Sequence, residues 1–251
     1  MKKKLIIIIS AIAVALAILL IVFIIPQTRI SLAPKIKVGI WEDGVFSRKE
    51  GENWVGYDVQ AATKILTELG YKVEFVETSY SEADQLLKNK KIDCYITSQK
   101  GNSQNAYTKS YCSVSQGIVY KGNLPIYSPE ELSEYTIGIR GGMANKNYLL
   151  EYVAEEKITS YKTDSDLLAM LQSDVIDICI LDYYYIEEIM HTNLFAGYTS
   201  GILIDSRGKL FATRANDNTL VNEINESIDE RYKEDYFNSI KYFYKLDGFV
   251  V

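Results

Sequence analysis

Two stretches of this sequence repeat one another, and the repeat constrains the fold more than any other feature. Ser81, Glu82, Leu87 and Ile92-Asp93 align at a constant offset with Ser165, Asp166, Leu171 and Ile176-Asp177. Each copy reads as a cap, an acidic first turn, a short helix, a turn, an Ile-Asp pair and an apolar strand. A single pair is no solenoid period. It points to two similar α/β lobes facing each other, with strand ends lining a cleft where ligands bind in open α/β sheets.

The flanking patterns agree. Lys35–Ile40 alternates polar and apolar residues as a strand. Residues 57–69 place Val59, Ala62, Ile65, Leu66 and Leu69 on one helical face, and Gly70 follows as a stop. A strand over Lys72–Val76, a helix over Ser81–Asn89 capped by Ser81, and a strand over Ile92–Thr97 complete a βαβαβ rhythm. The second lobe is expected to run through a strand at Tyr135–Ile139, a break at Gly141-Gly142 and a helix at Asn145–Glu155. An extended piece at Thr159–Tyr161, a helix at Asp164–Gln172 and a strand at Val175–Leu181 follow. A strand at Leu210–Arg214 and helices at Thr219–Tyr232 and Tyr236–Tyr244 close the chain.

Ahead of this body, Leu5 to Ile25 is a run of 21 uncharged residues between Lys2-Lys3-Lys4 and Pro26. As a helix it spans the ~30 Å hydrocarbon core of a bilayer. It exceeds the ~7–15 apolar residues of a secretory signal, and Pro26-Gln27-Thr28-Arg29 holds no small-x-small cleavage site. No Cys follows for lipid attachment. An uncleaved anchor over residues 1–29 is therefore favoured, with the lysines cytoplasmic and the body outside the cell membrane. Cleavage would instead make the body secreted or periplasmic; both readings export it.

Charge excludes one class of partner. The chain carries 27 basic and 33 acidic residues, and residues 1–29 hold Lys2, Lys3, Lys4, Arg29 and no acid, so the body is more acidic than the net −6 of the whole. Such a body repels a phosphate backbone, so no nucleic acid is expected. With one histidine, His191, multi-histidine metal sites are excluded, and no metal or cofactor is expected. Three cysteines form no disulfide scaffold. Cys94 and Cys179 read as small buried hydrophobes in strands, and Cys112 as a packed residue in a loop-like stretch.

The order of these elements resembles the family 3 extracellular solute-binding proteins, the polar amino-acid receptors of ABC transporters. The likeness is carried by Ile36-Lys37-Val38-Gly39, Val55-Gly56-Tyr57-Asp58, Lys72-Val73-Glu74-Phe75-Val76, Leu86–Ile96, Ile137-Gly138-Ile139 and the Asp177–Asp182 strand. It implies a type II periplasmic-binding-protein fold, with two Rossmann-like lobes joined by hinge strands. Lobe 1 would take residues 36–115 plus 208–251, and lobe 2 residues 116–207.

The resemblance also implies a site. Such proteins grip an α-carboxylate with an arginine fork, take the ammonium on an acid of the second lobe, and sandwich the rest between aromatic rings. Asp182 falls at the ammonium-binding position; the alternative is a cap on the following helix. Thr97 and Ser98 match the hydroxyl and backbone donors, and Tyr80 a sandwiching ring. The arginine is absent, Gly101 standing in its place, with Lys100 as a substitute cation or a solvated loop lysine. The anion-contacting Gly-Thr-Thr turn becomes Gly142-Met143-Ala144, which keeps backbone N–H donors but loses two hydroxyls. Arg140 just before it points into the cleft or lies on the surface. Trp41 and Phe46 follow the first strand as cleft or core aromatics. Glu42 and Asp43 suit a cationic group but more often are solvated. Asp58, and Asp93 with Asp177 in the repeat, read as structural.

The function expected on these grounds is extracytoplasmic binding of a small polar ligand, an amino acid or related amine, with an ABC permease as a possible partner and no catalysis. A sensing or degenerate binding domain is the alternative; it would need a partner in trans, since no kinase, cyclase or second apolar span follows. A dehydratase on the same fold, with Glu42 or Asp182 as general acid, ranks below both.

Overall fold

The computed structural model describes residues 33–98, 103–122, 126–141 and 146–246, with backbone alone over 202–207. The apolar run at 5–25 lies outside these residues. Among the described residues no helix is long and apolar enough to cross a membrane.

Strand β1 (Lys35–Ile40) leads through a small hairpin, β2 (Arg48–Glu50) and β3 (Asn53–Val55), into helix α1 (Tyr57–Glu68). Strand β4 (Lys72–Glu77), helix α2 (Tyr80–Lys88), β5 (Cys94–Thr97) and the short β6 (Asn105–Tyr107) follow. The chain then crosses to the second half along β7 (Cys112–Lys121). There it forms β8 (Ile137–Arg140), α3 (Lys146–Leu149), β9 (Ile158–Tyr161), α4 (Asp164–Gln172), β10 (Ile178–Asp182) and α5 (Tyr183–Met190). It returns along β11 (Tyr198–Arg214) and ends in α6 (Asn218–Lys233) and α7 (Tyr236–Phe243).

The strands lie in the order β4-β1-β5-β11-β7-β10-β8-β9, with β6 beside β11. Strand β11 has two roles along its length. Residues 210–214 pair with β5 and β6 of the first half, whereas 198–209 pair antiparallel with β7. Two long strands therefore belong to both halves. Each half buries its own core: Ile36, Val38, Ile65, Leu66, Phe211, Ile224 and Ile228 in one, and Ile118, Ile137, Ile139, Ile178 and Ile180 in the other.

The repeat is real, but its caps lie two residues earlier than Ser81 and Ser165. Ser79 caps α2 and bonds Glu82 at 2.7 Å, and Thr163 caps α4 and accepts from the Asp166 amide at 3.0 Å. Asp93 and Asp177 also do the same work twice. Asp93 accepts from the backbone of Lys37 at 2.9 Å, and Asp177 from the backbone of Thr136 at 2.8 Å. Each carboxylate ties the start of one strand to its parallel neighbour.

Three expectations are corrected. The helix expected at Asn145–Glu155 is the four-residue α3 followed by turns, and a short helical turn at Glu155–Lys157. The strand expected at Leu210–Arg214 is only the end of the 17-residue β11. Cys112 opens strand β7 and is not in a loop. All three cysteines are buried free thiols, and burial pushes the thiols of Cys94 and Cys179 well up. The native chain is therefore expected to resist a thiol reagent at about pH 8 and to react at all three positions once unfolded. Rapid native labelling of Cys94 or Cys179 would contradict this packing.

Candidate functional site

The site grows from the loop that follows β1. The amides of Tyr57 and Asp58, at the start of α1, donate to the carbonyls of Val45 and Phe46 at 3.2 and 2.9 Å. Gly56 permits this approach: at φ +132° a Cβ would stand 2.3 Å from the Phe46 carbonyl oxygen. The clamp sets Asp43 of the loop beside Asp58 of the helix, 3% and 1% exposed.

A cation from the far end of the chain meets both. Lys209, Phe211 and Thr213 share one face of β11, and all three are buried there. The Lys209 ammonium donates to Asp58 Oδ2 at 2.9 Å and to Asp43 Oδ2, and stands 4.3 Å from the centre of the Phe46 ring. The Tyr111 hydroxyl donates to Asp58 Oδ1 at 2.9 Å. Burial pushes the Asp58 carboxyl above the usual carboxylate range; Lys209 opposes the rise and Asp43 adds to it.

The second half supplies another cation to the same cluster. Arg140, at the end of β8, bonds Asp164 Oδ2 of α4 at 2.8 Å. Its guanidinium also lies 3.6 Å from Asp43 Oδ1 and donates to the Glu42 carbonyl. Asp43 is thus held by a lysine of one half and an arginine of the other. Tyr184 of α5 adds an aromatic contact across the junction, its ring 5.5 Å from Phe46.

Two cavities of about 10 Å³ each flank this bridge. Each has room for about one water. Trp41, Asp43, Asp58, Thr97, Ser98 and Lys209 line the first. Gln116, Arg140, Asp164, Asp182, Tyr184 and Tyr185 line the second. Asp164, Tyr184 and Tyr185 also form a wall of an open groove of about 580 Å³.

Asp182 is the last residue of β10 and stands opposite Gln116 of β7 in register. The Gln116 amide donates to its carboxylate at 3.2 Å. Although Asp182 precedes α5, its side chain makes no capping bond to that helix, and it is 8% exposed. Gly117, next along β7, leaves space for α5, since a Cβ there would touch Ile186 at 3.0 Å and Tyr183 at 3.1 Å.

Of the residues singled out in the sequence, Trp41, Thr97 and Ser98 share the first cavity, and Arg140 and Asp182 the second. Tyr80 lies edge-on to Trp41 with ring centres 6.2 Å apart. Phe46 is core: fully buried, it packs edge-on to Tyr57 and beneath Lys209. Asp43 is not solvated but buried. Lys100, Gly142 and Met143 lie outside the described residues. Lys209, Gln116 and Asp164 were not foreseen. A lysine one residue before the apolar run at 210–212 was the only sign of the first. Among the described residues no group of three or more His, Cys, Asp or Glu is placed to hold a metal ion.

Comparison with known proteins gives a consistent picture. The family described as bacterial extracellular solute-binding proteins, family 3, matches residues 36–245. The arginine-binding extracellular protein ArtP of Bacillus subtilis (strain 168) is 26% identical over 157 residues, 59% of this chain. The chain spans 60% of that relative's length. The L-cystine-binding protein TcyA of the same organism is 24% identical over 209 residues, 78% of this chain and 74% of its own. An ancestral arginine-binding protein bound to arginine superimposes with TM-score 0.70 at 24% identity, covering 84% of this chain and 97% of its own. A histidine kinase sensor domain with similarity to periplasmic binding proteins reaches TM-score 0.73 at 19% identity, covering 85% and 97%. At these identities the two structures show a shared fold.

Proposed function

Since the chain belongs to the bacterial extracellular solute-binding proteins, family 3, a family of binding proteins rather than enzymes, we propose that it closes two lobes on a small polar solute, an amino acid or a related amine, outside the cytoplasm. The lobes would be residues 36–115 with 208–251, and residues 116–207, hinged on β7 and β11. The observation that supports this reading is the pair of cavities beside the junction, the first lined by Thr97 and Ser98 of one half and the second by Gln116 and Asp182 of the other. Binding breaks no bond. It shifts an open–closed equilibrium, by as much as the solute prefers the closed form.

In this reading Asp182 receives a positive group of the solute, Thr97 and Ser98 offer hydroxyl and backbone donors, and Trp41 with Tyr80 forms an aromatic wall. Lys100, Gly142 and Met143 are proposed as further ligand contacts on the family resemblance alone. The arginine- and cystine-binding relatives support an amino-acid-like ligand. The run at 5–25, as an uncleaved anchor, would keep the body at the outer face of the membrane, where an ABC permease would take up the solute.

The test is thermal. The full chain in detergent micelles, titrated with the amino acids and simple amines in turn, is expected to gain melting temperature with concentration for a true ligand. A gain of about 2.7 kcal/mol corresponds to a ligand at a hundred times its Kd.

One observation favours a second reading. Each inner cavity has room for about one water, and Arg140 of one half is bonded directly to Asp43 and the Glu42 carbonyl of the other. A sensing lobe that closes on itself and signals through a membrane partner would look like this. It predicts that no small solute raises the melting temperature.

A further inference from the structure

We propose that Arg140 is a built-in occupant of the cleft, an autoinhibitory contact whose guanidinium shuts the halves in the way a bound solute would. The proposal rests on the reading that two lobes part and close, and it names the group that closes them.

The source of the acceptors is the first argument. The Arg140 guanidinium bonds Asp164 Oδ2 of its own half at 2.8 Å. It lies 3.6 Å from Asp43 Oδ1 of the other half and donates to the Glu42 carbonyl there. A group held by acceptors of both halves stabilises only the form that brings those acceptors together. That is the thermodynamic role of a solute, performed here by a side chain.

The far acceptors are also braced by their own half. The Asp43 amide donates to the Ser47 carbonyl at 2.7 Å, and the Phe46 amide to the Asp43 carbonyl at 3.0 Å. The Ser47 hydroxyl donates to the Trp41 carbonyl at 2.6 Å, and Lys209 takes the second carboxylate oxygen of Asp43. Asp164 is fixed as well, as the first residue of α4 beside its cap Thr163. Arg140 therefore docks onto a preformed receptor, which suits the planar fork of a guanidinium.

Room is the third argument. The contact runs between the two inner cavities, with Asp43 lining one and Arg140 and Asp164 the other. The Arg140 side chain is 13% exposed, so a shorter residue there leaves a space of guanidinium size. In the native chain, any solute that takes these acceptors competes with a tethered group of high effective concentration.

Chemical rescue tests this. Spin labels at Gln85→Cys in one half and Gln172→Cys in the other, both exposed positions, report the separation of the halves in the full chain in detergent. The native cysteines are buried. In Arg140→Ala the labels are expected to move apart. About 20 mM guanidinium, far below denaturing concentrations, should return at least half of the molecules to the parent separation. Ammonium or urea at the same concentration should not, and the parent should respond to none of them. Arg140→Val, which suits a strand, carries the same comparison if the alanine variant does not fold. If the variant opens and guanidinium does no more than ammonium, or if the variant stays closed, the proposal fails. The two-lobed reading is tested apart, by Arg140→Asp, which sets a third carboxylate beside Asp43 and Asp164. If that variant also keeps the parent separation, the halves do not part and both fail.

Discussion

Replacing Lys209 with Met is expected to cost the fold about 3–5 kcal/mol, the loss typical when one partner of a buried ionic cluster is removed. For a chain of this size that lowers the melting temperature by about 10 °C. The reason is local. Asp43 and Asp58 would face each other and the Phe46 ring with no ammonium between them, in a site where the lysine side chain is 3% exposed. Denaturant unfolding of the chain and its variant measures the difference. The triple variant Lys209→Met, Asp43→Asn, Asp58→Asn removes the stranded charges as well, and is expected to recover more than half of the loss. The deficit should also depend on pH. Burial raises the folded-state Asp58 carboxyl above its unfolded value of 3.8, so its contribution is fully present below that value and is lost as pH rises through the raised one. Without Lys209 the rise is greater, and the variant should approach the parent near pH 4 and fall furthest behind at neutral pH. A variant as stable as the parent at pH 7 would show that the cluster holds nothing together.

Arg140→Ala is expected to leave each half folded and to shift the protein toward an open form. Its side chain is 13% exposed, and those of its partners Asp43 and Asp164 are 4% and 30% exposed, so charge-assisted bonds worth about 1.5–3 kcal/mol are at stake. That is roughly a tenfold to hundredfold change in an open–closed ratio. Small-angle scattering should report a larger radius of gyration, while each core keeps its melting behaviour. Arg140→Lys should recover only part of the closure, since an ammonium lacks the fork that reaches Asp164, Asp43 and the Glu42 carbonyl together. An unchanged scattering profile in Arg140→Ala would mean that apolar contacts such as Phe46–Tyr184 hold the halves closed without it.

Much of the scaffold was legible residue by residue. Helix α4 over Asp164–Gln172 matches its expected bounds, and β1, α1, α6 and α7 match within a residue or two. Apolar spacing and caps are local signals, complete within one turn or one strand. The strands that join the halves were less visible. Strand β7 carries Ser113, Ser115, Gln116 and Gly117, and the middle of β11 carries Asp205, Ser206 and Gly208, so neither reads as an apolar strand. Their order comes from pairing with each other, a non-local contact that propensity does not report. The site was legible in the same uneven way. Trp41, Thr97 and Ser98 line the first cavity and Arg140 and Asp182 the second, and each was legible because it follows or ends a strand.

What the sequence alone determined is the paired α/β architecture, through a duplicated cap–helix–strand pattern whose signals act over a few residues. Only the tertiary structure decided the electrostatics of the cleft. Lys209 reaches Asp43 across 166 positions and Arg140 reaches Glu42 across 98. No local pattern distinguishes a lysine that will be solvated from one that will be buried between two carboxylates. That depends on which distant acids the fold brings near, and on the water the fold removes.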